Sequence, residues 1–162
     1  MLAAGAVFLL DQTSKAWAIR KLRFGGDIAV IPNFLNFAYA ENTGVAFSFL
    51  NNGGDTGRWA LSALAFLAAS AVLYFFWKTP RSDDRILSAL SLLLAGILGN
   101  VTDRARLGFV VDFIDVQFGA WHYPTFNVAD AAICTGAGLL ILEMFFSKKI
   151  QKTDESAEKA KG

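Results

Sequence analysis

The chain has 162 residues, 54% of them hydrophobic and only 18% charged, with a formal net charge of +1. Such an apolar composition excludes an ordinary water-soluble domain and reads as one membrane protein domain, mainly α-helical. The basic residues are spread over several loops, which gives no footprint for a nucleic-acid partner, and the single Cys134, set in an apolar segment, excludes an internal disulfide and reads as a packing residue.

Residues 1–19 are apolar apart from Asp11-Gln12-Thr13-Ser14-Lys15, and Arg20, Lys21 and Arg23 follow. A cleaved signal peptide needs a basic region ahead of its apolar run and a small-residue cleavage site after it; neither is present, so this is read as a first spanning helix. Asp11 and Lys15 are four apart and share a helix face, where each can neutralise the other. Residues 24–57 then break the helical pattern with Gly25-Gly26, Pro32, Asn33, Asn36, Asn42, Gly44 and the run Asn51-Asn52-Gly53-Gly54. Short alternating runs at 28–31 and 34–39 read as strands of a small sheet. It must lie outside the hydrocarbon, because lipid does not tolerate an open sheet edge. Within residues 42–48, Asn42 and the flexible Gly44 suit close backbone approach to a ligand, though a plain turn has the same composition.

Residues 59–77 form an uninterrupted apolar run bounded by Trp59 and Trp77, as interfacial aromatic belts are. A polar turn with Pro80 leads to a third span over 86–101, in which Gly96 and Gly99 permit close helix packing, and Asn100, Asp103 and Arg104 lie at its end. Residues 105–125 leave the helical pattern again at Gly108, Gly119 and Pro124, with Trp121 and Tyr123 as interface anchors. Asn127 has the chemistry of an N-cap for a fourth span over 128–146, whose Ala132, Gly136 and Gly138 make a small-residue packing face. Residues 147–162 are polar and lysine-rich, a disordered tail beyond a single domain of 1–146. Four spans put both termini on one side, and a slight excess of basic residues in the tail and the 78–85 turn places that side in the cytoplasm.

On this layout Asp112 and Asp130 meet at one membrane surface, the outer one. An ionisable group within a membrane span costs roughly 2.5 to 3.5 kcal/mol even on the lenient insertion scale, so such residues call for a function. Two carboxyls close together in a poorly hydrated site share one proton and titrate as a unit, and such a pair can serve as acid and base at once. Asp130, near the positive end of a helix, is the better candidate for the ionised partner. A structural reading competes with this: any acid is favoured in a first helical turn, and Asp112 can pair with Arg104 or Arg106. Asp115, farther along the same strand, is a rival to Asp112. His122, the only histidine, has no Cys or His at ligand spacing, so no metal and no cofactor are expected.

Five blocks together resemble a known family: Asp11-Gln12-Thr13-Ser14-Lys15, Asn42-Thr43-Gly44-Val45-Ala46-Phe47-Ser48, Gly96-Ile97-Leu98-Gly99-Asn100-Val101-Thr102-Asp103-Arg104, Val110-Val111-Asp112-Phe113 and Phe126-Asn127-Val128-Ala129-Asp130. In order and spacing they are similar to the lipoprotein signal peptidases, or signal peptidase II, from Asp11 to about Phe146. The departures are Val45, where the family often has alanine, and Thr102 at a variable position.

The resemblance implies an aspartic endopeptidase of the bacterial inner membrane that removes signal peptides from prolipoproteins, cutting just before a diacylglyceryl-modified cysteine. It implies Asp112 and Asp130 as the catalytic pair. Asn42, Gly44, Asn100, Arg104 and Asn127 then line the site or bind substrate, with Asp11, Lys15 and Asp103 in support. The implied fold has four transmembrane helices, a small extramembrane sheet that cradles substrate, and a short surface helix near residues 51–57. The implied partners are lipidated precursors, membrane lipids and globomycin-type peptide inhibitors, with the enzyme a monomer. Other readings are a proton-coupled transporter, which would show paired broken helices or repeated halves, a non-enzymatic membrane scaffold, and an intramembrane protease of the presenilin or prepilin peptidase type. The last would carry a Gly-x-Gly-Asp motif that neither aspartate here has.

Overall fold

The computed structural model describes residues 2–44 and 55–159. The elements in order are α1 (Leu2–Lys21), β1 (Ile28–Ile31), β2 (Leu35–Asn42), α2 (Asp55–Lys78), α3 (Asp84–Leu107), β3 (Val110–Phe118), β4 (Trp121–His122) and α4 (Val128–Lys159). Among the described residues, three helical stretches are long and apolar enough to cross a membrane: Gly57–Lys78, Asp84–Leu107 and Val128–Phe146. The twenty-residue α1 is not among them, because the polar run from Asp11 to Lys15 interrupts it. Most of the surface-helix position near residues 51–57, and the 45–48 part of the second block, lie outside the described residues. Residues 55–57 open α2.

The organising helix is α3, which packs against α1, α2 and α4. It starts with Asp83 as N-cap, accepting the Ile86 N–H at 3.3 Å, and ends at Gly108, whose φ of 91° is the left-handed cap that only glycine adopts cheaply. This helix runs six residues past the end that the apolar pattern marks, because Asn100, Asp103 and Arg104 sit inside it rather than beyond it. The side chains of Asn100 and Asp103 are met by α1, α4 and β3, so they do not end the helix. Gly96 and Gly99 face α4 and α1 so closely that a Cβ at Gly96 would strike the Ala129 carbonyl oxygen, and one at Gly99 would lie 2.5 Å from Asp11 Oδ2. On α4, Ala132 and Gly136 do pack, Gly136 against Ala89 and Leu93 of α3, but Gly138 has nothing within 4 Å of where its Cβ would be. Cys134 is exposed on the outer face of α4, which corrects its reading as a packing residue: the small-residue stripe faces α3 and the thiol faces away. The polar stretch after Phe146 continues α4 to Lys159.

The sheet is antiparallel in the order β1-β2-β3-β4. Asn36 and Asn42, which the sequence marks as breakers, lie within β2 instead, since each hands its side-chain amide to an aspartate of β3. The sheet docks on the C-terminal half of α1 through Ala18, Leu22, Val111 and Phe113, with Trp17 set edge-on to Phe37 and Phe113 at ring distances of 5.3 and 6.3 Å. Apolar burial of this kind contributes roughly 25 cal/mol per Å² and fixes β3 to the end of the bundle. The segment before α4 is sewn to the same strand, for the Phe126 carbonyl accepts the N–H groups of Phe113 and Ile114 at 3.0 and 2.8 Å. Asp112 is thereby held beside the first turn of α4.

Candidate active site

Three buried ionisable groups form the foundation. Lys15 donates to Asp11 Oδ2 at 3.0 Å, to Asp103 Oδ2 at 3.1 Å and to Asn100 Oδ1 at 2.9 Å, which occupies all three ammonium protons. Asp11, Lys15 and Asp103 are each no more than 4% exposed. Burial at that depth is tolerable because each carboxylate oxygen has a donor. Asp11 Oδ1 accepts the Ala129 N–H at the start of α4, and Asp103 Oδ2 accepts the Val111 N–H of β3. One ion cluster on α1 and α3 thus pins the two elements that carry Asp130 and Asp112.

The second layer is amide. Because Lys15 takes Asn100 Oδ1, the Asn100 Nδ2 is turned outward, where it donates to Asp130 Oδ1 at 2.7 Å. Asn127 caps α4 as its sequence position implies: its Oδ1 accepts the Asp130 N–H at 2.9 Å, while its own N–H donates to Asp130 Oδ2 at 3.2 Å, a reciprocal capping box. Its Nδ2 donates to Asp112 Oδ1 at 2.7 Å. On the other side, Asn42 Nδ2 donates to Asp112 Oδ2 at 2.9 Å, and Asn42 Oδ1 accepts the Gly44 N–H at 2.9 Å. Gly44 has φ of 84° and presses on Leu61 of α2, so both its backbone shape and its missing Cβ are needed for that turn.

Asp112 is 2% exposed. Burial is the largest influence and pushes its carboxyl up to about 6; the negative charge of Asp130 adds to this, while the Asn42 and Asn127 bonds and the Lys15 charge hold it down. Asp112 forms no ion pair with Arg104 or Arg106 among the described residues, so the simple structural pairing for it does not occur. Arg104 is half-buried within electrostatic reach of Asp130, Asp112 and Asp103, and among the described residues its guanidinium makes no hydrogen bond and no ion pair. Its backbone carbonyl, with that of Ala105, accepts from Arg58 at 2.7 and 2.8 Å, which ties the start of α2 to the end of α3.

All ten sequence-predicted site residues therefore fall into one connected cluster, Arg104 by charge and the others by hydrogen bonds. Asp115 does not join it. Three positions from Asp112 on β3, it leaves the strand on the opposite face and accepts from Asn36 at 3.1 Å while pairing with His122 Nδ1 at 2.9 Å. Although burial pushes against it, the His122 and Asn36 bonds hold its carboxyl below the ordinary range. Gln12 is the residue that sequence reasoning passed over. Its amide donates to Asp11 Oδ2, to the Gly99 carbonyl and to Asp103 Oδ1 at 3.1 to 3.3 Å, linking the two buried acids that flank Lys15. An amide beside a buried acid was its only signal.

The sequence matches a known family over nearly its whole length: the family model described as Signal peptidase (SPase) II covers residues 3–146. The chain belongs to the signal peptidase II family. Among the relatives, a lipoprotein signal peptidase of Shewanella loihica is 40% identical over 152 residues, 94% of this chain and 89% of that protein. One from Polynucleobacter necessarius is 45% identical over 148 residues, 90% of each. Two solved structures, each described as a bacterial membrane enzyme, superpose with TM-scores of 0.79; they are 34% and 35% identical and cover 91% and 88% of this chain, which covers 87% and 90% of them. This member of the signal peptidase II family is thus a membrane peptidase, with apolar helices and a small antiparallel sheet. Its relatives are bacterial.

Proposed function

We propose that this chain removes the signal peptide from prolipoproteins in the bacterial inner membrane, hydrolysing the bond before the diacylglyceryl-modified cysteine with Asp112 and Asp130 as an acid–base pair. The observation that carries the assignment is Asn127, which donates its backbone N–H to Asp130 and its side-chain amide to Asp112. One residue thus spans both acids and holds them at a fixed separation.

Four carboxyls (Asp11, Asp103, Asp112, Asp130) face two cations (Lys15, Arg104) in this cluster. The deficit of positive charge favours one retained proton, and the most deeply buried acid without a cationic partner is Asp112. Asp130, met by two N–H donors at a helix N-terminus, is the base. It takes a proton from water as the water oxygen attacks the scissile carbonyl carbon. Asp112 gives its proton to the carbonyl oxygen; as the tetrahedral intermediate collapses and the C–N bond breaks, the leaving amine takes the proton that Asp130 received, and a hydroxyl of the intermediate returns its proton to Asp112 as the C=O bond re-forms. Arg104, its guanidinium free for substrate, holds a carbonyl of the precursor, and Asn42 and Gly44 line the approach. The support of Asp11, Lys15, Gln12 and Asp103 is indirect, through Asn100 and the two elements they pin.

A signal peptide is itself a membrane helix that ends at the interface, so a site at the end of α3 meets the bond without pulling the substrate from lipid. With α1 as a fourth span, its buried charges turned toward α3, both termini lie in the cytoplasm and the pair faces the periplasm. The enzyme works as a monomer surrounded by lipid, without a cofactor, and globomycin-type peptides compete for the same site. Incubating the purified enzyme with a diacylglyceryl-modified precursor tests this. The wild type yields the shortened product, whereas Asp112→Asn and Asp130→Asn each lose at least about a thousandfold in rate while keeping the native fold. Normal turnover by the double variant would end the proposal.

A further inference from the structure

At the end of the bundle away from the two aspartates, the C-terminus of α2 and the N-terminus of α3 flank an open cavity of about 660 Å³, lined by Trp77, Arg81, Asp84, Leu87, Ser88 and Ser91 among others. From Asp84 to Arg104 is about 30 Å along α3, a full hydrocarbon thickness, so this cavity faces the leaflet opposite the aspartate pair. Its polar side chains are open to a ligand. Among the described residues the side chains of Arg81, Asp84, Ser88 and Ser91 make no hydrogen bond or ion pair, and Ser91 is only 4% exposed, so its hydroxyl is confined to the cavity.

A second cavity of about 540 Å³ adjoins the first, with Thr79 in the walls of both, and is lined chiefly by Phe75, Ile86, Leu90, Leu140 and Met144. It exists because α2 and α4 both pack on α3 and leave a cleft between them at this end. A cation, an anion and hydroxyls therefore sit next to an apolar slot, at the level of an interfacial tryptophan. We propose that these two cavities are a binding site for a zwitterionic phospholipid with a primary-amine headgroup, its phosphate on Arg81 and the serine hydroxyls, its ammonium on Asp84, and an acyl chain in the slot over Leu90. A purely anionic headgroup would pair its phosphate with Arg81 but leave Asp84 without the ammonium that a zwitterionic one offers. A trimethylated amine keeps the charge but cannot donate to the carboxylate.

The full-length protein, purified in detergent and titrated with single lipids under native mass spectrometry, tests the site. Phosphatidylethanolamine binds at one equivalent, and phosphatidylglycerol and phosphatidylcholine of the same chains bind at least about tenfold more weakly. Arg81→Gln and Asp84→Asn each weaken phosphatidylethanolamine by a similar factor, and Asp84→Asn alone narrows its advantage over phosphatidylcholine. Both are exposed residues in or beside a turn, so these variants fold. Ser91→Leu, which fills the cavity, abolishes retention. Equal binding of the three lipids, unchanged binding in both charge variants, or binding of soluble phosphoethanolamine as tight as that of the lipid would overturn the proposal.

Discussion

Lys15 has no proton left to give to water or substrate, so its value lies in what it compensates. Removing it leaves Asp11 and Asp103 buried, charged and without a cation, and uncompensated buried charge costs about 3 to 5 kcal/mol. Lys15→Met should therefore lower the unfolding free energy by that order, measured by chemical denaturation in detergent. Restoring one neutral partner with Asp103→Asn in the same chain should recover part of it. Asp112 makes the opposite kind of prediction. Its carboxyl is raised by burial to about 6, so the folded state favours the protonated form and ionisation works against folding. There is no penalty below pH 4; it grows between pH 4 and 6 and is complete above that, where a rise of about two pH units corresponds to roughly 3 kcal/mol. Asp112→Asn carries no such charge. Its stability relative to wild type should improve steadily from pH 4 to 7 and then level off, whatever constant offset the altered hydrogen bonds introduce. For cleavage the same group sets the alkaline limb: kcat/KM should fall as pH rises through about 6, and Asp115, already held down by His122, should not contribute to that limb.

At the level of elements, the closeness of α3 to its neighbours is set by two glycines. A methyl at Gly99 meets Asp11 Oδ2 and the Ala129 side chain, so Gly99→Ala should cost about 1 to 3 kcal/mol and reduce cleavage together with stability, since Asp11 also holds the first turn of α4. Gly138→Ala, with open space where the methyl goes, should change neither, and thermal unfolding of the pair checks the contrast. The same helices show what the sequence makes legible. Long apolar runs announce themselves, and α2, α3 and α4 stand where the hydropathy puts them. Helix ends are less visible when polar residues are used inside the bundle: Asn100, Asp103 and Arg104 look like a terminus, but Lys15 and Val111 meet the first two and Arg104 lies within reach of the acids' charge, so α3 runs on to Leu107. In the sheet, asparagine reads as a breaker, yet Asn42 stays extended because Asp112 opposite it takes its amide. Asp112 and Asp130 were legible as costly polar residues next to apolar runs. Gln12 was not, because an amide in a helix beside an acid has no pattern until α3 is placed against it.

Across the whole molecule, the faces turned away from α3 are covered by large apolar side chains. On α4 these are Leu139, Ile141, Leu142, Met144, Phe145 and Phe146, each between 41 and 69% exposed, and on α2 a similar set from Trp59 to Trp77. Water would not tolerate so continuous a surface, whereas a bilayer supplies its missing partner. The lone thiol of Cys134 lies on that surface, seven residues and so about 10 Å along α4 from the Asn127 cap that bears the acid pair. Depth therefore becomes measurable without introducing any new residue. A fluorophore attached to Cys134 in detergent and carried into vesicles should be quenched by spin labels placed on lipid chains about 10 Å below the headgroups, and should be insensitive to iodide in water. A Cys134→Ser control removes the signal. Quenching by iodide instead would mean that this face of α4 is bathed in water, and the acid pair, about 10 Å nearer the helix start, would then sit outside the interface at which an amphipathic, lipidated precursor presents its bond.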